Sequence, residues 1–168
     1  AVLTGPTPVP EAIVTCAEIR EQVEGSPLAT GQMLPPFAAL HAMQGDFETA
    51  RSLLREANTV LGELGRLYTV ALVQFDATVE LLAGQPAAAE EHLRSAYERL
   101  DEMGEKALFA NIAAMLAQAV YAQGRYDDAA EFSRAGRDAA AADDLSAQVE
   151  WRVVSAKLLA RRGENAEA

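Results

Sequence analysis

The chain is poor in the residues on which most site chemistry rests. Among its 168 residues there is one cysteine, Cys16, so no internal disulfide can form. There are two histidines, His41 and His92, neither with a second His or Cys at metal-ligand spacing, which leaves no metal set and no cofactor to expect. Aromatic residues make up 6% of the sequence, too few for a β-sandwich core. No stretch approaches 18 consecutive apolar residues, so no membrane span is expected. A phosphate-binding G-x-x-x-x-G-K-[ST] loop is also missing, which excludes nucleotide binding by that route. Basic residues are few and scattered, 14 against 25 acidic, for a net charge of −11. Nucleic acid is therefore not an expected partner, because tracking phosphates requires clustered Lys and Arg. The acidity serves solubility or, alternatively, a groove for a basic segment. With neither disulfides nor a signal peptide, the chain fits a cytoplasmic protein.

What is present is a period. Gly45, Gly84, Gly124 and Gly163 recur at intervals of 39, 40 and 39 residues. Five residues after each stands an alanine (Ala50, Ala89, Ala129, Ala168), and seven before each stands another (Ala38, Ala77, Ala117, Ala156). A second punctuation, Gly25, Gly65, Gly104 and Asp144, falls about halfway between. Fixed small residues at this spacing predict stacked helical hairpins. Each glycine supplies the left-handed residue that ends a helix, and each alanine lets two backbones cross closely.

The expected fold is all-α, a right-handed superhelix of antiparallel helix pairs. Residues 1–9 read as a linker, 10–25 as a half repeat, 26–65 as repeat one, 66–104 as repeat two and 105–144 as repeat three, with 145–168 a truncated fourth. The chain neither begins with Met nor completes that repeat, and it reads as a piece of a longer protein. Within repeat one, Gly31, Pro35 and Pro36 interrupt the first helix. Interior proline costs about 3 kcal/mol, so a break is expected before Pro35. Asp144 or Ser146 is expected to cap the last helix. On that helix Trp151, Val154, Leu158 and Leu159 form an apolar arc, part of it expected to lie uncovered. The arc offers a two-fold homodimer contact at the C-terminal end.

The turns Gln44-Gly45-Asp46-Phe47-Glu48-Thr49-Ala50 and Gln123-Gly124-Arg125-Tyr126-Asp127-Asp128-Ala129 resemble the tetratricopeptide repeat pattern G-[DR]-[FY]-x-x-A. Three longer stretches, Glu80–Glu90, Tyr121–Ala129 and Trp151–Gly163, resemble one actinobacterial group. Its members are multidomain regulators with an adenylate/guanylate cyclase-like domain, an AAA-type ATPase domain and a C-terminal tetratricopeptide-like array. This resemblance implies a non-catalytic module for protein–protein interaction and regulation in signal transduction. The partner would be a protein, a peptide or adjacent domains of the parent chain. It also implies that the first helix of each repeat lines a groove, placing Gln74, Thr78, Asn111, Gln118, Tyr121, Glu150, Lys157 and Arg161 there. The competing reading is a small-ligand sensor, as in large ATP-dependent transcription activators, which would need an aromatic and partly closed pocket. The acidic pairs Glu90-Glu91, Asp127-Asp128 and Asp143-Asp144 are read as helix-start or surface charges, not as catalytic acids.

Overall fold

A computed structural model describes residues 6–62 and 66–163; among them the chain is helical and contains no strand. The helices are α1 (Val9–Gln22), α2 (Pro27–Met43), α3 (Phe47–Gly62), α4 (Arg66–Leu82), α5 (Pro86–Met103), α6 (Lys106–Ala122), α7 (Tyr126–Ala139) and α8 (Leu145–Arg162). Gly65, the segment 164–168 with Ala168, and the first five residues of the expected linker lie outside the described residues. The chain forms two compact units, one ending at Gln85 and holding α1–α4, the other starting at Pro86 and holding α5–α8.

The turns follow from local backbone chemistry. At Gly45, φ is +82°, Gly45 N–H donates to the Ala42 carbonyl at 2.9 Å and Asp46 N–H to the His41 carbonyl at 3.0 Å. These two bonds satisfy carbonyls that the end of α2 would otherwise leave open. Gly124 repeats the pattern onto the Tyr121 and Val120 carbonyls. A Cβ at Gly45 would meet nothing within 4 Å, so glycine is required there for its dihedral and not for room. Beyond the turns, carboxylates cap the next helix: Asp46 accepts from Thr49 N–H, Glu105 from Ala107 and Leu108 N–H, and Asp144 from Ala147 N–H.

In the first unit α2 packs between α1, α3 and α4. It is apolar all round, with Leu34, Phe37, Ala38, Ala39, Leu40 and Ala42 buried, as befits a helix enclosed on several sides. This enclosure overturns the expected break: α2 runs unbroken through Pro35 and Pro36. Burying Leu34, Phe37 and Leu40 stabilises the helix by roughly 1.5–3 kcal/mol each, which outweighs one proline defect of about 3 kcal/mol. Pro35 itself is buried and contributes apolar surface.

In the second unit α6 is the central helix, against α5, α7 and α8. Its Ile112, Leu116 and Val120 are buried, together with Leu93 and Leu100 of α5 and Val154 of α8. Of the period alanines, Ala38, Ala50, Ala77, Ala89, Ala117 and Ala129 are fully buried, and Ala156 is half-buried. The arc on α8 is divided. Val154 and Leu158 are buried in a cluster with Ala117, Tyr121, Tyr126 and Phe132, while Trp151 and Leu159 are half-buried. Helices in such stacks carry two apolar faces. Trp151 and Leu159, the half-buried part of the stripe, line an open cleft with Arg134 and Arg162.

Candidate functional site

One group of aromatic and cationic side chains lies at the edge of the core where α6, α7 and α8 pack together in the second unit. Tyr121 is in the last turn of α6, and Tyr126 is the first residue of α7, on the far side of the Gly124 turn. Their ring centroids are 5.1 Å apart at an interplanar angle of 67°, an edge-to-face pair. From α8, the Nζ of Lys157 stands 5.9 Å from the Tyr121 ring centroid and the Cζ of Arg161 lies 3.8 Å from that of Tyr126. Lys157 and Arg161 are one helical turn apart, so both reach the same end of α6. Resting a cation on an aromatic face contributes about 0.5–2 kcal/mol, enough to favour one side-chain placement. Among the described residues neither cation has a carboxylate within ion-pair distance. Two positive groups are thereby pre-positioned on aromatic faces without a direct ion pair.

Glu150 stands two turns before Lys157 on α8 and is half-buried. Burial pushes its carboxyl above the usual range, and the charge of Lys157 pulls it back only in part. Because the folded-state value is raised, Glu150 opposes folding increasingly as pH climbs from the ordinary carboxylate range through that value. An acid held in such surroundings gains from a hydrogen-bond donor or a cation brought by a partner.

The remaining expected groove residues are less engaged. Asn111 and Gln118 are half-buried on α6, and the Asn111 amide donates to the Ala107 carbonyl at 3.3 Å. Gln74 and Thr78 lie on α4 in the first unit, both half-buried, with the Thr78 hydroxyl donating to the Gln74 carbonyl at 2.7 Å. The geometry thus brings Tyr121, Lys157 and Arg161 together and sets Glu150 within the field of Lys157, while Asn111 and Gln118 stand nearer the start of α6 than Tyr121. Tyr126 is the member that sequence reasoning missed. In the sequence it begins the stripe Tyr126, Ala129, Phe132, Gly136 and Ala139, a spacing that marks core, although an aromatic five residues after Tyr121 is a signal of pairing.

Two other polar clusters are structural. The buried carboxylate of Glu90 accepts from Gln123 Nε2 at 2.7 Å, from Arg125 Nη1 at 2.9 Å and from Arg94 at 2.6–2.9 Å. Burial alone would raise its pKa, but the three donors outweigh it and hold the carboxyl below the usual range. His41 Nδ1–H donates to Asp46 Oδ2 at 3.1 Å, and the other oxygen of Asp46 caps α3, so this pair belongs to the turn. Among the described residues no group of three or more His, Cys, Asp or Glu stands together as a metal site, and no helix is long and apolar enough to cross a membrane. Three clefts formed by described residues, of about 550, 520 and 250 Å³, are open to the surface and carry one aromatic side chain each: Phe37, Trp151 and Phe109.

Comparison with known families matches the description "Tetratricopeptide repeat" to residues 38–56 and 110–135. These stretches cover the turns α2–α3 and α6–α7, each with its alanine crossing. Comparison with curated proteins gives no match to the chain.

Proposed function

We propose that the chain is a non-catalytic protein-interaction module whose second unit binds an acidic peptide segment along α6 and α8. Tetratricopeptide repeats generally serve protein–protein interaction, and two stretches of this chain match that family. The observation that carries the reading is the placement of Lys157 and Arg161 on the rings of Tyr121 and Tyr126, with no acidic partner within ion-pair distance among the described residues. Cations already ordered on aromatic faces bind a carboxylate with little further loss of side-chain freedom. Asn111 and Gln118 supply donors and acceptors for a peptide backbone further along α6, and Glu150 takes a donor from the ligand. Gln74 and Thr78 offer the corresponding polar positions on α4 of the first unit. The open clefts favour this reading over a small-ligand sensor, which needs an enclosed aromatic pocket. The resemblance of three stretches to cytoplasmic, cyclase- and ATPase-containing regulators supports a partner segment from a neighbouring domain of a larger signal-transduction chain.

An array of peptides with acidic, neutral and basic C-terminal segments, probed with the purified chain, tests the proposal. Acidic peptides should bind, with affinity falling as salt rises. The double variant Lys157→Ala/Arg161→Ala should lose at least about tenfold, the scale of one charge-assisted contact. Equal binding by the double variant, or a preference for basic peptides, would sink the reading.

A further inference from the structure

Within a hairpin each helix hides the face that its other neighbours leave open. On α6 the face taken by α7 runs through Ala110, Ala114 and Ala117, which stand 14, 10 and 7 residues before the turn glycine Gly124. The approach is close: a Cβ on Gly136 of α7 would lie 3.1 Å from the Ala110 carbonyl oxygen and 3.3 Å from the Ala114 nitrogen. On α2 the same registers hold Gly31, Pro35 and Ala38, all buried, with Leu61 of α3 directly against Gly31. On α8, counted from Gly163, they hold Val149, Val153 and Ala156. There Val149 is 58% exposed, Val153 40% exposed and Ala156 half-buried. α8 therefore presents the first-helix half of a hairpin with apolar residues at the contact registers.

The first helix of the chain is its complement. On α3 the residues 5, 9, 12 and 16 positions after Gly45 are Ala50, Leu54, Ala57 and Leu61, all buried against its partner helices. Counted from Gly5 in the sequence, the same registers on α1 are Pro10, Val14, Ala17 and Glu21, and all four are exposed. Ala17 keeps the small residue that a close crossing needs. The charges also match. α8 carries Arg152, Lys157, Arg161 and Arg162 against Glu150 alone, in a chain of net charge −11, whereas α1 exposes Glu11, Glu18 and Glu21.

We propose that α8 of one copy and α1 of a second copy complete an antiparallel helical hairpin between them, with Ala17 facing Val149 and Val153, as Gly136 faces Ala110 and Ala114, and Val14 facing Val153 and Ala156. The contact joins two different surfaces, so it propagates head to tail and leaves one of each free at the ends of the assembly. It differs from a two-fold contact through α8 alone, which would bring the four basic side chains of one copy against those of the other.

Two end-blocked variants, checked for unchanged helix content by circular dichroism, test the proposal by sedimentation velocity. Val153→Arg buries an unpaired charge at the α8 face; Ala17→Arg places bulk and like charge opposite it, so the two blocked ends also repel each other. The unaltered chain should gain average mass with concentration and pass beyond two copies. Each variant alone should remain monomeric over the same range, its association weakened at least about tenfold. A one-to-one mixture should form a two-chain species and nothing larger, because only one compatible pair of ends remains. A wild-type chain that stays monomeric overturns the proposal. So does a mixture that stays monomeric, or an Ala17→Arg chain that still dimerises, which would assign the contact to α8 alone. Val149→Arg and Val14→Arg repeat the experiment if either first variant loses helix content, and the same outcomes decide.

Discussion

The two units fasten consecutive helices from the same register by opposite chemistry. In the first unit the residue six positions after the turn glycine is Arg51, whose Nε and Nη2 donate to the two oxygens of Glu80 on α4 at 2.8 and 2.7 Å. In the second unit that register holds Glu90, which accepts from Gln123 and Arg125 at the α6–α7 turn and from Arg94 on its own helix. One arrangement is a cation reaching a buried carboxylate; the other is a buried carboxylate gathering donors. In both cases the register carries a charged residue that links neighbouring helices, and the sign of that charge differs between the two. Partial burial makes the links matter, since the Glu80 and Glu90 side chains are each 11% exposed while their arginine partners still reach water.

The largest effect should come from removing the carboxylate of Glu90, which three side chains hold. Glu90→Gln is expected to destabilise the chain by about 1–3 kcal/mol, toward the lower end because Arg94 and Arg125 can turn to solvent. The sign of its pH dependence follows from the lowered pKa of Glu90. Stability contributed by this carboxylate is present above the ordinary carboxylate range and is lost as pH falls through the lowered value. Urea unfolding followed by circular dichroism from neutral to acid pH should show wild type and variant converging at the acid end. A constant gap would mean that Glu90 acts through packing alone. Arg51→Gln removes the outer, more exposed partner, and about 0.5–1.5 kcal/mol is expected in the same assay. A loss equal to that of Glu90→Gln would break the comparison, because it would show that the two links are energetically alike despite their unequal partners.

Much of this architecture was readable from the glycine period, because a helix end with positive φ is a local demand that one residue type meets best. The turns at Gly45, Gly84 and Gly124 and the buried alanines around them follow directly. What could not be read were outcomes set by neighbours distant in sequence. Pro35 is a helix breaker by its own chemistry and a core residue by its surroundings. Gly31 looked like an interruption, yet it makes room for Leu61. On α8 the periodicity marks an apolar stripe at Trp151, Val154, Leu158 and Leu159, but not which neighbour takes it. The candidate site divides in the same way. Lys157, Arg161 and Tyr121 follow from repeat register, whereas the ring that holds Arg161 belongs to α7 and was masked by its core-like spacing.

The smallest effect sharpens the comparison most. In the third instance of the register, six residues after Gly124, the residue is Ala130, and no ionic link exists there. Ala130 lines the open cleft between α7 and α8 together with Arg134 and Arg162. Arg134 stands four residues further along the helix, as Arg94 does from Glu90, and Arg162 occupies the position before its glycine, as Gln123 does before Gly124. Two of the donors that Glu90 uses thus have cationic counterparts in place, and only the carboxylate is missing. Ala130→Glu should form the i,i+4 pair with Arg134 and draw Arg162 toward it. Since the cleft is open to water, the expected gain is about 0.2–0.5 kcal/mol, reduced by salt. Thermal unfolding at low and high ionic strength measures it. A gain at low salt that disappears at high salt would establish the register as a general fastening position. A loss of stability independent of salt would show that Ala130 is held there by close packing against α8, and that the fastening rule stops at the second unit's first hairpin.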